Sequence, residues 1–190
     1  MSQKFNKKIF TFNILLNDSF FLLINFSEII AAMRNKKISK SFREKIMTVV
    51  TAVNGCIYCT WFHAKQSIKS GISEEEVKNI LSLQFKADAS DFEIIGLLYA
   101  QHYAETNRKA DKKMEEKLFD FYGKKTANHI YIIIRMIFFG NLLGNTFDAF
   151  LSRLKGNKAE NSNVLFEFFF FIINAPFLLP ILPFTKRYRN

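Results

Sequence analysis

Proline and glycine are scarce here, at three and seven residues in 190. These residues punctuate chains, so their scarcity predicts long regular elements. No alternating polar–apolar stretch of any length occurs, which argues against strands, and no internal repeat is found. The charge is strongly positive, +10, yet Lys and Arg are scattered and no zinc-finger, RNP or other nucleic-acid module accompanies them. A nucleic-acid partner is therefore not expected, and the basic residues read as a solvated surface. No signal peptide is recognised at the start. Lys4, Lys7 and Lys8 precede an apolar stretch, but Asn13, Asn17 and Asp18 interrupt it and no small-residue cleavage site follows. A cytoplasmic location is the expectation. There are only two cysteines, and they stand together. In a reducing compartment, such a pair is more often redox-active or metal-binding than a structural staple.

Apolar residues, by contrast, make up 49% of the chain, with 23 Phe, enough for a sizeable core. Periodicity and cap signals predict an all-α bundle of about seven or eight helices. A first helix is expected over 20–33, capped near Asp18 or Ser19. A second is capped by Ser39 or Ser41 and carries Phe42, Ile46, Val49, Val50 and Val53 on one face. Asn54-Gly55 signals a break. A third helix opens at Cys56 and stops at Gly71. Ser73 and Glu76 have the spacing of a capping box for a fourth. Ser90-Asp91 starts a fifth, and Asp111 or a neighbour starts a sixth that Gly123 closes. Residues 126–139 are apolar nearly all round and predict the buried central helix. Residues 145–154 predict a separate last core helix, with Asn141 and Asn145 reading as helix-end chemistry.

Three parts follow from this pattern: a helical domain over 1–154, a polar linker over 155–163 and a hydrophobic C-terminal segment over 164–190. The segment from Val164 to Phe184 nears the ~20 residues of a membrane helix. Glu167, Asn174 and three prolines interrupt it. Lys186, Arg187 and Arg189 follow and would suit anionic headgroups. The expectation is a tail packed on a neighbouring subunit, with membrane contact as the alternative.

Cys56, Cys59 and His63 stand at i, i+3 and i+7, and so share one helical face. Cys56 lies at the start of its helix, where partial positive charge and unpaired N–H groups favour thiolate. A Cys pair in that position can react and then close into a disulfide, with His63 within reach to move a proton. Glu44 lies twelve residues before Cys56. A turn at Asn54-Gly55 would fold its helix back and bring Glu44 toward His63. Zinc is the rival reading, but a closed site wants four ligands, and His102 and His129 are distant in sequence and read as ordinary helical histidines.

The pattern Glu44-x11-Cys56-x2-Cys59-x3-His63, with Asn54-Gly55 at the break and Gly71 closing the motif helix, resembles the alkylhydroperoxidase D family of the carboxymuconolactone decarboxylase-like superfamily. The specific match covers about residues 40–85. The resemblance implies a helical bundle that assembles as a homo-oligomer, often a trimer or hexamer. It implies reduction of hydroperoxides: Cys59 is oxidised to sulfenic acid, Cys56 donates a proton and closes the disulfide, and His63 and Glu44 form the relay. It implies no bound cofactor or metal, and electrons from a dithiol such as dihydrolipoamide or a thioredoxin-like protein. Tyr58 stands where such peroxidases often carry His, and a phenol is a poor base at neutral pH. The decarboxylases of the superfamily do not use this cysteine pair, so lactone decarboxylation is not expected. Tyr58 and Trp61 are expected as site walls. Arg135, inside an apolar run, is expected to pair with a carboxylate such as Asp148 or to reach a subunit boundary. The rival functions are a disulfide oxidoreductase or redox sensor, a zinc-binding helical module, and a membrane-attached protein whose tail dictates its role.

Overall fold

A computed structural model describes residues 5–160 and 162–188, without the side chains of Arg187 and Tyr188. Lys4 and Arg189, and the Arg187 side chain, taken above as charged flanks, lie outside the described part. The fold is all-helical, with eight α-helices among the described residues: α1 Phe12–Ile24, α2 Phe26–Met33, α3 Lys40–Asn54, α4 Ile57–Lys69, α5 Glu74–Leu81, α6 Asp91–Glu105, α7 Lys112–Leu154 and α8 Val164–Leu178. A 3₁₀ segment, Leu182–Tyr188, follows.

The chain enters the first helix earlier than its pattern suggests. Thr11 caps α1, its side chain accepting from the Ile14 N–H at 3.3 Å. Asp18 is therefore not a cap. It is buried in mid-helix and accepts from Arg108 and Arg135. At Asn25 the chain bends by 68° into α2, and the Asn25 side-chain amide donates back to the Phe21 carbonyl at 2.8 Å. Ser39 caps α3 by accepting from the Phe42 N–H at 3.0 Å. Gly55, at φ +65°, ends α3 in the left-handed conformation that costs glycine least.

Ser73 accepts from the Glu76 N–H at 3.1 Å and starts α5. The Glu76 carboxylate, however, turns to Lys45 at 2.6 Å. Lys45 also holds Glu93 at 2.9 Å, so one ammonium ties α3 to α5 and α6. Burial lowers the Lys45 pKa, but its two carboxylate hydrogen bonds outweigh that and leave it raised. Asp111 caps α7 through the Lys113 N–H at 2.8 Å.

Gly123, at φ +72°, breaks the regularity of α7 where the sequence signals a stop. Beyond it, Ile130, Ile133, Ile134 and Phe138 are buried at the centre, against Ile46, Val49 and Val50 of α3 and Leu97 and Ala100 of α6. The expected stop near residues 140–145 does not occur: α7 runs unbroken to Leu154. Asn141 and Asn145 spend their side chains on α3 rather than on their own helix (below), so their usual competition with helical backbone is absent. α7 is long and apolar enough to cross a membrane, yet two thirds of its apolar stretch is buried in the bundle.

The inner face of the C-terminal segment packs on its own chain. Phe171 stacks on Phe147 of α7 at 4.7 Å between ring centroids, and Phe150 lies 4.9 Å from Phe171. Glu167, fully buried, accepts from Arg153 at 2.6 Å. Arg135 pairs with Asp18 at 3.0 Å, not with Asp148, and its guanidinium lies 3.7 Å from the Phe21 ring. Asp148 instead accepts from Lys7 at 2.9 Å.

Candidate active site

The site is built on the α3–α4 hairpin. Cys56 is the N-cap of α4 and is fully buried. Its sulfur accepts from the Cys59 N–H at 3.3 Å. That bond meets one of the donors a helix start leaves unpaired, and it puts sulfur at the positive end of the helix dipole. Cys56 and Cys59 are joined as a disulfide, with Cα atoms 5.3 Å apart. Cys59 is the more exposed of the two.

One turn beyond Cys59, His63 is buried with Glu44 of α3, and the His63 Nδ1–Glu44 Oε2 distance is 2.9 Å. A carboxylate at that distance accepts from Nδ1–H, which fixes the tautomer and leaves Nε2 as the basic nitrogen. Thr48 Oγ1 and Ser67 Oγ, 3.2 Å apart, join the same two helices. The four residues predicted from spacing thus lie on one hairpin, with the acid meeting the imidazole across it.

A second set of residues, not foreseen as part of the site, fixes the turn that delivers Cys56. The Asn54 side-chain amide donates to Asn141 Oδ1 at 3.2 Å. Asn141 donates to Thr51 Oγ1 at 3.0 Å, and Asn145 donates to the Asn54 carbonyl at 2.8 Å. Lys8 donates to Asn54 Oδ1 at 3.2 Å and also to the Ala104 carbonyl; burial lowers its pKa. Asn54, Asn141, Asn145 and Thr51 are all buried, so this polar cluster sits where unmade hydrogen bonds are costly. The sequence signal was there: two Asn at i and i+4 on one face of a largely apolar stretch, with Gly144 between them.

Gly144 belongs to the same face. A Cβ built on it would lie 2.6 Å from Cys56 Sγ and 3.2 Å from Tyr58 Cδ2. No side chain fits there without moving the sulfur, so α7 comes this close to the Cys pair only because residue 144 is glycine. The Gly140 carbonyl oxygen lies 3.5 Å from Cys59 Sγ.

Tyr58 and Trp61 do line the region, on different sides. Tyr58 is buried edge-on to Phe147, with centroids 5.7 Å apart. Trp61 stacks on Phe184 of the C-terminal segment at 5.8 Å, with Lys65 Nζ 4.4 Å from its ring centroid. Leu178, Ile181 and Leu182 pack against the cluster formed by Cys56, Ile57, Tyr58 and Phe147. The tail therefore forms one wall beside the disulfide.

His102 and His129 are elsewhere. His102 Nε2 accepts from the Asp111 N–H at 3.0 Å, and His129 Nδ1 lies 2.9 Å from the Asn35 amide nitrogen. Among the described residues no group of three or more His, Cys, Asp or Glu side chains could hold a metal ion.

The carboxymuconolactone decarboxylase family model matches residues 20–90. Over this segment, less than half of the chain, the sequence is similar to that family. The family includes both decarboxylases and peroxidases. The matched segment holds Glu44, Cys56, Cys59 and His63. Asn141, Gly144, Asn145 and the whole C-terminal segment lie beyond it. No curated protein and no solved structure gives a significant match to the chain.

Proposed function

We propose that the chain is a thiol-dependent peroxidase that reduces alkyl hydroperoxides with the Cys56–Cys59 pair. In the reduced enzyme, His63 takes the Cys59 proton while Glu44 holds its imidazole in place. The Cys59 thiolate attacks the terminal peroxide oxygen. The O–O bond breaks, the alkoxide leaves as an alcohol with the proton from His63, and Cys59 becomes a sulfenic acid. The Cys56 sulfur then attacks Cys59, water leaves, and the disulfide closes. An external dithiol, dihydrolipoamide or that of a thioredoxin-like protein, reopens it by exchange, entering at the more exposed Cys59 sulfur and leaving as a disulfide. The resemblance to such peroxidases further suggests a homo-oligomer, as a trimer or hexamer, with no resident cofactor.

The observation that carries this reading is the Cys pair at the mouth of α4 with the Glu44–His63 pair one turn deeper. The test is peroxide consumption with dihydrolipoamide as reductant. The parent enzyme should lose both free thiols on challenge, and Cys59→Ser should abolish turnover. Parent-rate consumption by Cys59→Ser overturns the reading.

A disulfide oxidoreductase on the same pair is the second reading, and Tyr58 favours it. A buried phenol packed on Phe147 supplies no base beside Cys59 where the related peroxidases often have imidazole. Turnover of a protein disulfide, without peroxide turnover, would decide for it.

A further inference from the structure

Two helices of this chain bury one face and leave the other apolar and open to solvent. On α1, Phe12, Leu16, Phe20 and Leu23 recur at three- and four-residue intervals, each more than half exposed. On α8, Leu165, Phe169, Ile173 and Phe177 recur every four residues and are as exposed. Phe10, the residue before the α1 cap, has its ring 5.9 Å from that of Phe170 of α8. Exposed apolar surface on this scale marks an interaction face.

Charge says what kind of face it is. The carboxylates of these helices point inward: Asp18 of α1 is buried against Arg108 and Arg135, and Glu167 of α8 is buried against Arg153. Glu28 of α2, 3.6 Å from His129, is the one exposed acid on α1, α2 and α8. Arg34, Lys36, Lys37 and Lys40 are exposed immediately after α2, and Lys186 is exposed at the end of the chain's tail. Exposed Phe, Leu and Ile stripes, with exposed cations on the adjoining segments and one exposed acid, fit the interface of an anionic bilayer. A second copy of the chain would bring like-charged rims together, which opposes self-association through this face.

We propose that α1, α2 and α8 dock the protein in-plane on an anionic membrane surface, with Arg34, Lys36, Lys37, Lys40 and Lys186 at the headgroup level. The inner face of the tail touches the Cys56–Cys59 cluster, so the docked disulfide lies roughly one helix diameter, ~10 Å, from lipid. The docking does not depend on the redox reading.

Vesicle flotation tests it directly, with no redox step in the readout. The full chain is mixed with vesicles of phosphatidylglycerol and phosphatidylcholine, or of phosphatidylcholine alone. The expected result is co-flotation with the anionic vesicles, at least tenfold weaker on neutral ones and weakened by salt. Phe169→Asp with Ile173→Asp should reduce it at least tenfold, with helicity checked by circular dichroism. Lys36→Glu with Lys37→Glu changes only exposed side chains and should give a comparable loss, which decides the matter if the first variant unfolds. A protein that stays out of the floated fraction overturns the proposal. So does binding that neither variant weakens, or a dimer closed over α1 and α8 that ignores vesicles.

Discussion

Glu44 Oε2 and His63 Nδ1 lie 2.9 Å apart across the α3–α4 hairpin, nineteen residues apart in sequence and both buried. A carboxylate so placed orients the imidazole and stabilises its protonated form when it takes a proton. Glu44→Gln retains shape and removes charge. It should slow thiol oxidation by peroxide by about 10²-fold while leaving the melting temperature near the parent's. Stopped-flow thiol loss measures the rate and thermal melting the stability, and an unchanged rate would remove Glu44 from the mechanism.

Gly144 makes a sharper structural prediction. Gly144→Ala drives a methyl to within 2.6 Å of the Cys56 sulfur, so the sulfur or α7 must move. The expected cost is about 1–3 kcal/mol, together with slower disulfide closure, read by thermal melting and thiol titration. Gly140→Ala is the control. Its Cβ meets nothing within 4 Å, and in a helix interior it should stabilise by roughly 0.5–1 kcal/mol.

Asp18 holds two arginines, Arg108 at 2.7 Å and Arg135 at 3.0 Å. Removing one partner from such a cluster strands the others. Asp18→Asn should therefore cost about 2–3 kcal/mol, below the range for fully buried pairs because both guanidinium groups are partly exposed. Chemical denaturation measures it. A loss under 0.5 kcal/mol would mean the arginines are solvated well enough alone.

Alkaline pH should unfold the protein through its phenols. Burial, with help from Glu93 and against the Gly96 N–H bond, pushes the Tyr122 pKa up to about 12. Burial raises Tyr99 and Tyr103 as well. Each folded value lies above the unfolded one near 10, so the stability these groups contribute is complete below pH 10 and is lost above it. Tyrosinate absorbance should rise late and steeply, together with loss of helicity, between about pH 10 and 12. Titration of all six tyrosines near pH 10 without unfolding would contradict the packing described.

The spacing Glu44, Cys56, Cys59, His63 was legible because it is local: helical periodicity and one glycine-containing turn suffice to bring these side chains together. So was the break at Gly123, where backbone geometry depends on the residue itself, while the caps were legible only to within a residue or two: Ser39 rather than Ser41, and Asp111 rather than a neighbour. Asp18, Asn141 and Asn145 were misread for one reason. Each has the chemistry of a helix end, and local rules cannot tell whether a polar side chain serves its own backbone or a distant helix. Asp18 found Arg108 ninety residues on, and Asn141 and Asn145 found Thr51 and Asn54 some ninety residues back. Only the three-dimensional arrangement shows that Gly144 is needed for α7 to approach Cys56, and that the tail's inner face walls the site. The residues that can do chemistry, then, are written in the chain itself. How closely other helices hold them is decided by packing, because contact between distant segments depends on shapes that no local pattern encodes.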